Sequence, residues 1–376
     1  MKFIDNYYPL ITGFIIFFFV ALSKTSLGPD EMTYLNIGTI FLNEGIYTNT
    51  KIHPLLSLIS ASINKLTHSA LFTYQIIYGF TGMLLSISIY KLLKKLMLDT
   101  EHIKKIHLFV LITPGILLFS LYSIANIFYT ALAYFSVYIT YKAIESRSYT
   151  FSAIAGFFIG LTYLSRIEGL VLIIILLIII MLLNYKSKES LLSYLCLLIT
   201  CFVICILPWQ IYLANNDLVF SSIIYGGYDS GIWEDGFAKY ALGDNKIGAD
   251  EFSLIHHFLM PIGKNIVLYS EAIASMRTFP FFLWSFVIFG LYEIKFNKSL
   301  AILTAPGLAT LSYILFFVEG RYVIAAIPLL SILAALGILN LLKRNDLSIK
   351  KYFLIALIGI FIMDIFFGIL WLYAKH

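Results

Sequence analysis

The chain has 376 residues, 60% apolar and only 12% charged, with a net charge of +5 and a mean hydropathy of +0.89. A soluble domain of this size needs far more charge on its exterior, so the composition excludes one. Lipid-embedded helices, which satisfy every backbone group internally, fit it. The small positive charge comes from loop lysines and does not suggest nucleic-acid binding.

Apolar runs fall near 7–23, 70–91, 106–121, 123–142, 150–165, 168–184, 190–213, 278–294, 299–318, 322–342 and 352–373. They predict an all-α integral membrane protein of about eleven transmembrane helices, forming a single polytopic domain over 1–376. The first run lacks the basic flank and small-residue cleavage site of a signal peptide, so it reads as a retained helix. Placing the N-terminus in the cytoplasm puts sixteen of the 26 Lys and Arg residues on the inner side, mostly in short loops. Two outer loops then stand out, at about 24–69 and 214–277, both too long to be connectors.

The first outer loop opens with Gly28-Pro29-Asp30-Glu31. Apolar Tyr34, Ile37 and Phe41 among polar residues predict a helix from Asp30 to Glu44 lying at the membrane interface. A second such helix is predicted to begin at Pro54, a residue suited to a first helical position. Asp30 can serve as a base toward a hydroxyl, or it can cap the helix while Glu31 complements the helix dipole. Lys51 and His53, just before the second helix, can meet a phosphate there, and Lys51 can equally snorkel to lipid headgroups.

Further along, Arg166 and Glu168 separate two apolar runs, and Glu319-Gly320-Arg321-Tyr322 separates two others. Both pairs map to the outer boundary, where ionisable groups are functional candidates. A guanidinium clamps a phosphate through two parallel bonds, which favours Arg321. Arg166 can do the same or can pair with Glu168 or Glu319 to hold helices together. In the late loop, His256 and His257 lack an acidic partner at metal-ligand spacing, and Trp233 offers a face on which a sugar can stack. Cys196, Cys201 and Cys205 share one apolar run and read as small packing or lipid-facing residues.

Together these features resemble the multi-spanning glycosyltransferases of the GT-C superfamily, in the branch of the protein O-mannosyltransferases and the aminoarabinose transferases of lipid A. The resemblance rests on Gly28-Pro29-Asp30-Glu31-Met32-Thr33-Tyr34, Lys51-Ile52-His53-Pro54-Leu55, Thr113-Pro114-Gly115, Leu164-Ser165-Arg166, Pro208-Trp209 and Gly320-Arg321-Tyr322-Val323 followed by Pro328. Each match is short; their order and spacing carry the likeness. It implies transfer of a sugar, by an inverting single displacement, from a polyprenyl-phosphate donor to the hydroxyl of a glycan, lipid or protein acceptor at the outer face of the cell membrane. Asp30 would be the catalytic base and Glu31 would orient the site or acceptor. Lys51, His53, Arg166 and Arg321 would bind the donor phosphate, with late-loop contacts from Trp233, His256 and His257. No cofactor is predicted. Family members often carry an acid at the start of the fourth span, where this chain has Ala125-Asn126, so divalent-metal use is left open. The soluble C-terminal domain of larger relatives is not expected.

Two other functions compete. An O-antigen-type polymerase or ligase would place its essential Arg and His in the 214–277 loop and would not need Asp30. A lipid-carrier transporter would place charge or broken helices at mid-membrane, whereas charge here gathers at one face, Asp364 excepted.

Overall fold

A computed structural model describes residues 2–49, 52–96, 100–117, 121, 124–184, 188–216, 260–273, 279–280, 282–293, 298–312 and 320–344, with positions 355, 358, 359 and 362. Among these residues every regular element is helical: α1 (Lys2–Leu22), α2 (Pro29–Glu44), α3 (Pro54–Thr67), α4 (Ala70–Leu93), α5 (Thr100–Leu111), α6 (Pro114–Leu117), α7 (Ile124–Ser146) and α8 (Tyr149–Ser165). There follow α9 (Glu168–Asn184), α10 (Lys188–Asn215), α11 (Met260–Ile273), α12 (Leu283–Glu293), α13 (Lys298–Leu303), α14 (Ala305–Thr310) and α15 (Ile327–Arg344), the last entered through a 3₁₀ segment, Gly320–Ala326.

Four helices among the described residues are long and apolar enough to cross a membrane: Ala70–Leu96, Ile124–Ser146, Leu192–Asn215 and Arg321–Lys343. Shorter apolar helices, including Tyr7–Leu22, Tyr149–Ser165 and Glu168–Leu182, pack beside them, so this is a helical membrane protein. The expected run at 352–373 lies almost wholly outside the described residues.

Three apolar runs are less regular than their hydropathy predicts, and proline is the reason. The run at 106–121 divides into α5 and α6 at Thr113-Pro114, because Pro114 has no N–H and disfavours a helical residue before it. The Thr113 hydroxyl donates to the Phe109 carbonyl (2.9 Å) and lies 2.9 Å from the Ser331 hydroxyl, so the broken turn stays bonded. The run at 299–318 likewise divides at Thr304, just before Pro306, and the 322–342 run begins as a 3₁₀ turn that yields to α15 at Ile327, with Pro328 in its first turn.

Packing places α1 on α4, α7 on α4 and α8, α8 on α10, and α12 on α15. The α8–α10 seam is close because α8 is bare there: a Cβ on Gly156 would lie 2.1 Å from the Leu198 carbonyl oxygen, and one on Gly160 would lie 2.6 Å from Cys205 Cβ. Only 17% of the α10 span is buried, against 83% for the 321–343 span, which puts α10 at the rim and α15 at the centre of the described residues.

The predicted loop helices α2 and α3 pair with each other, and α3 rests on α4 and α8. The α2 helix begins at Pro29 and ends at Gly45, whose φ of 74° is a left-handed conformation open to glycine without strain. After it, Tyr47 is buried: its N–H donates to the Tyr212 hydroxyl (2.7 Å), its own hydroxyl donates to Ser57 Oγ (3.2 Å), and its ring packs edge-on against Trp209 at 4.9 Å. Trp209 of the Pro208-Trp209 pair thus anchors this first connection to α10. These ties hold the C-terminal end of α2, and the turn after it, against α3 and α10.

Candidate functional site

Four segments distant in sequence meet where α2 begins. Asp30 lies in its first turn, where the helix dipole favours a carboxylate. Arg321, 291 residues later, reaches it from the 3₁₀ segment, with Nη1 2.5 Å from Asp30 Oδ2. The pair is open to the surroundings, with the Asp30 side chain 52% exposed. Arg166 caps the C-terminal end of α8 with an extended backbone, and its Nε donates to both carboxylate oxygens of Glu168, at 3.0 and 3.3 Å. Glu168 is almost fully buried, so this second pair is an internal one. Burial works against the Arg166 charge, but Glu168 and the neighbouring Tyr34 and Tyr322 rings outweigh it and hold the guanidinium more firmly protonated than usual.

Tyr322 links the two pairs. The Arg166 guanidinium lies 5.2 Å from its ring centroid and the Arg321 guanidinium 5.4 Å, so one aromatic ring serves two cations. Tyr34, on α2, sits in the field of Asp30, Arg166, Arg321 and Tyr322, and burial raises the pKa of its phenol. His53 precedes α3 and is buried, its ring edge-on to Tyr163 at 5.0 Å. Burial first, and the Arg166 charge second, push its pKa down to about 4. The ring is therefore neutral near pH 7, and its buried Nδ1 has no hydrogen-bond partner among the described residues. Its capacity toward a phosphate is for hydrogen bonding, not charge.

Glu31, adjacent to Asp30, turns the opposite way. Lys24 Nζ donates to Glu31 Oε1 in a short ion pair and to the Leu121 carbonyl at 2.9 Å. Glu31 Oε2 accepts from the Gly28 N–H (2.6 Å), and the Tyr74 hydroxyl of α4 donates to the Glu31 carbonyl (2.7 Å). Of the residues predicted for the site, Asp30, His53, Arg166 and Arg321 converge, and Glu31 supports them from behind. Lys51, Trp233, His256, His257 and Glu319 lie outside the described residues. Sequence reasoning did not single out Lys24. The available signal was a lone cation seven residues before Glu31, in a connection too short to reach far. Among the described residues no cluster of His, Cys, Asp or Glu is arranged to hold a metal.

The helical bundle that carries this charged cluster is similar in fold to two solved GT-C glycosyltransferases. The chain is similar to ArnT from Cupriavidus metallidurans bound to undecaprenyl phosphate, with a TM-score of 0.62 and 13% identity over 92% of this chain and 61% of that one. It is also similar to the Archaeoglobus fulgidus oligosaccharyltransferase tethered to an acceptor peptide (TM-score 0.57, 15% identity, 97% of this chain and 55% of that one). The apo form of the same archaeal enzyme gives a TM-score of 0.53. The chain thus spans little more than half the length of these enzymes. No protein-family profile matches the sequence, and no curated protein matches it.

Proposed function

We propose that this protein is a membrane glycosyltransferase that moves a sugar from a polyprenyl-phosphate donor to an acceptor hydroxyl at the outer face of the cell membrane. The observation that carries the proposal is the exposed Asp30–Arg321 pair, a carboxylate suited to act as a base and a guanidinium suited to a phosphate, in contact at one end of the bundle. ArnT, solved with undecaprenyl phosphate bound, supports a polyprenyl carrier.

In the reaction, the acceptor oxygen attacks the anomeric carbon as the bond from that carbon to the phosphate oxygen breaks, which inverts the centre. The hydroxyl proton passes to the Asp30 carboxylate, and the electron pair of the broken bond leaves on the polyprenyl phosphate. Asp30 thus loses a negative charge in the step in which the leaving phosphate gains one. Arg321 can follow that charge from carboxylate to phosphate by a short side-chain movement, and a preorganised cation aimed at developing charge is a large source of rate. Arg166 stays with Glu168 and adds a fixed positive field, while His53 offers a neutral ring nitrogen. The acceptor is a glycan, lipid or protein.

The test is to delete the gene and complement it with wild type or Asp30→Asn at matched membrane levels, then compare lipid extracts and surface glycans by mass spectrometry. The expected result is that Asp30→Asn behaves like the deletion, with a glycosyl-phosphoryl-polyprenol accumulating and one surface sugar missing. Full activity of Asp30→Asn, with His256→Ala inactive, would replace this reading by a late-loop polymerase or ligase.

A further inference from the structure

Asp30 and Glu31 are neighbours, but their surroundings differ sharply. The Asp30 side chain is half-exposed, whereas that of Glu31 is 6% exposed and its cation, Lys24, 15%. Successive helical residues diverge by about 100° around the axis, so the direction in which Glu31 is held fixes the direction in which Asp30 points. The start of a helix is ordinarily its loosest part, since its first N–H groups have no partners within the helix. Here it is tied at three places: Glu31 Oε2 closes on the Gly28 N–H, Tyr74 of α4 holds the Glu31 carbonyl, and Lys24 bridges Glu31 Oε1 to the Leu121 carbonyl. The last bridge joins the end of α1, the start of α2 and the connection before α7.

We propose that Lys24 is a positioning residue for transfer: acting through Glu31, it locks the first turn of α2 so that Asp30 faces the acceptor. Lys24 points inward and is committed to two acceptors, so it acts on geometry and does not touch the donor. The inference rests on the glycosyl-transfer reading. A base displaced by about 1 Å loses on the order of 100-fold in rate, so loosening this turn affects the chemical step more than donor affinity.

The test uses the full chain as Lys24→Met, Glu31→Gln, the double variant and Asp30→Asn. Transfer is read as the rate at which newly induced enzyme depletes the glycosyl-phosphoryl-polyprenol accumulated in the deletion strain. Binding of undecaprenyl phosphate to each purified variant in lipid nanodiscs is read by native mass spectrometry, alongside the thermal unfolding midpoint. Lys24→Met is expected to slow transfer tenfold or more while undecaprenyl phosphate binding stays within twofold of wild type. The double variant is expected to be no slower than the slower single variant, because both changes break one device. Wild-type transfer by Lys24→Met, or losses that multiply in the double variant, overturns the inference. So does a loss that merely tracks weaker binding and a lower unfolding midpoint, since that marks general destabilisation. Retained transfer by Asp30→Asn instead overturns the reading beneath it, whatever Lys24→Met does.

Discussion

Replacing Glu168 by glutamine tests whether burial gives the Arg166–Glu168 pair its strength. The two side chains are 18% and 2% exposed, and Arg166 Nε donates to both carboxylate oxygens. Removing one partner of a buried pair leaves the other charge less well compensated and costs about 3–5 kcal/mol. The lower end applies here: the introduced amide oxygen still accepts from Nε, and the Tyr322 ring at 5.2 Å retains a cation–π attraction of about 1 kcal/mol. A loss of about 3 kcal/mol lowers the folding equilibrium constant by more than about 100-fold. Lys95–Glu145 provides the internal comparison, being an ion pair with partners 34% and 45% exposed. Solvent screens it, and Lys95→Met is expected to cost only about 0.5 kcal/mol. Both variants would be unfolded at equilibrium in mixed dodecylmaltoside and SDS micelles, with tryptophan fluorescence as the readout. If Glu168→Gln loses less than about 1 kcal/mol, or no more than Lys95→Met, burial does not set the strength of the pair.

On the proposed mechanism Arg321→Gln should retain the fold and reduce transfer by about 100-fold or more, seen as accumulated glycosyl-phosphoryl-polyprenol, since the cation proposed to meet the leaving phosphate is gone. Gly156→Ala should destabilise the α8–α10 seam by about 1–3 kcal/mol in the same micelle titration, since its new carbon meets the Leu198 carbonyl at 2.1 Å. Gly263→Ala, with nothing within 4 Å, should not destabilise. The His53 imidazole has a pKa of about 4 when folded and 6.5 when unfolded, so the unfolded chain binds the extra proton. Its contribution to stability is full above about pH 6.5 and is lost as pH falls toward 4, by about 3 kcal/mol at most. His53→Asn should therefore be less acid-sensitive than wild type across that window, as measured by unfolding midpoints at pH 7.5 and 5.

Sequence reading worked best where one residue type forces one local outcome. Pro54 opens α3 as expected, and the hairpin around Arg166-Ile167-Glu168 follows the two apolar runs to within a residue or so, whereas α2 begins at Pro29, one residue before the expected Asp30, with Gly28 and not Asp30 at its N-cap. The cysteines also fit: Cys201 and Cys205 face the glycines of α8, and Cys196 is exposed, although nothing in the α10 run indicates which helix it meets. Hydropathy cannot show breaks inside an apolar run, so the kinks at Thr113 and Thr304 required the side-chain hydroxyls and prolines to be placed in space. Pairing of charges was less legible still. Sequence leaves Arg166 open to a phosphate, to Glu168 or to Glu319; packing places it on Glu168, and Glu319 lies outside the described residues. Nothing in local sequence assigns Asp30 to Arg321 or Glu31 to Lys24, because adjacent acids look alike until the helix that carries them is rotated against its neighbours.

The 291-residue separation of Asp30 and Arg321 also bears on biosynthesis. Helices enter the bilayer in order, so Asp30 waits through the insertion of most of the bundle before Arg321 arrives. On the proposed mechanism, a nascent chain stalled before Arg321 lacks the cation that would meet the departing phosphate, so unfinished copies would not consume lipid carrier. The same topology means that two fragments divided between α10 and α11 should be inert apart and regain activity only when they assemble together in one membrane.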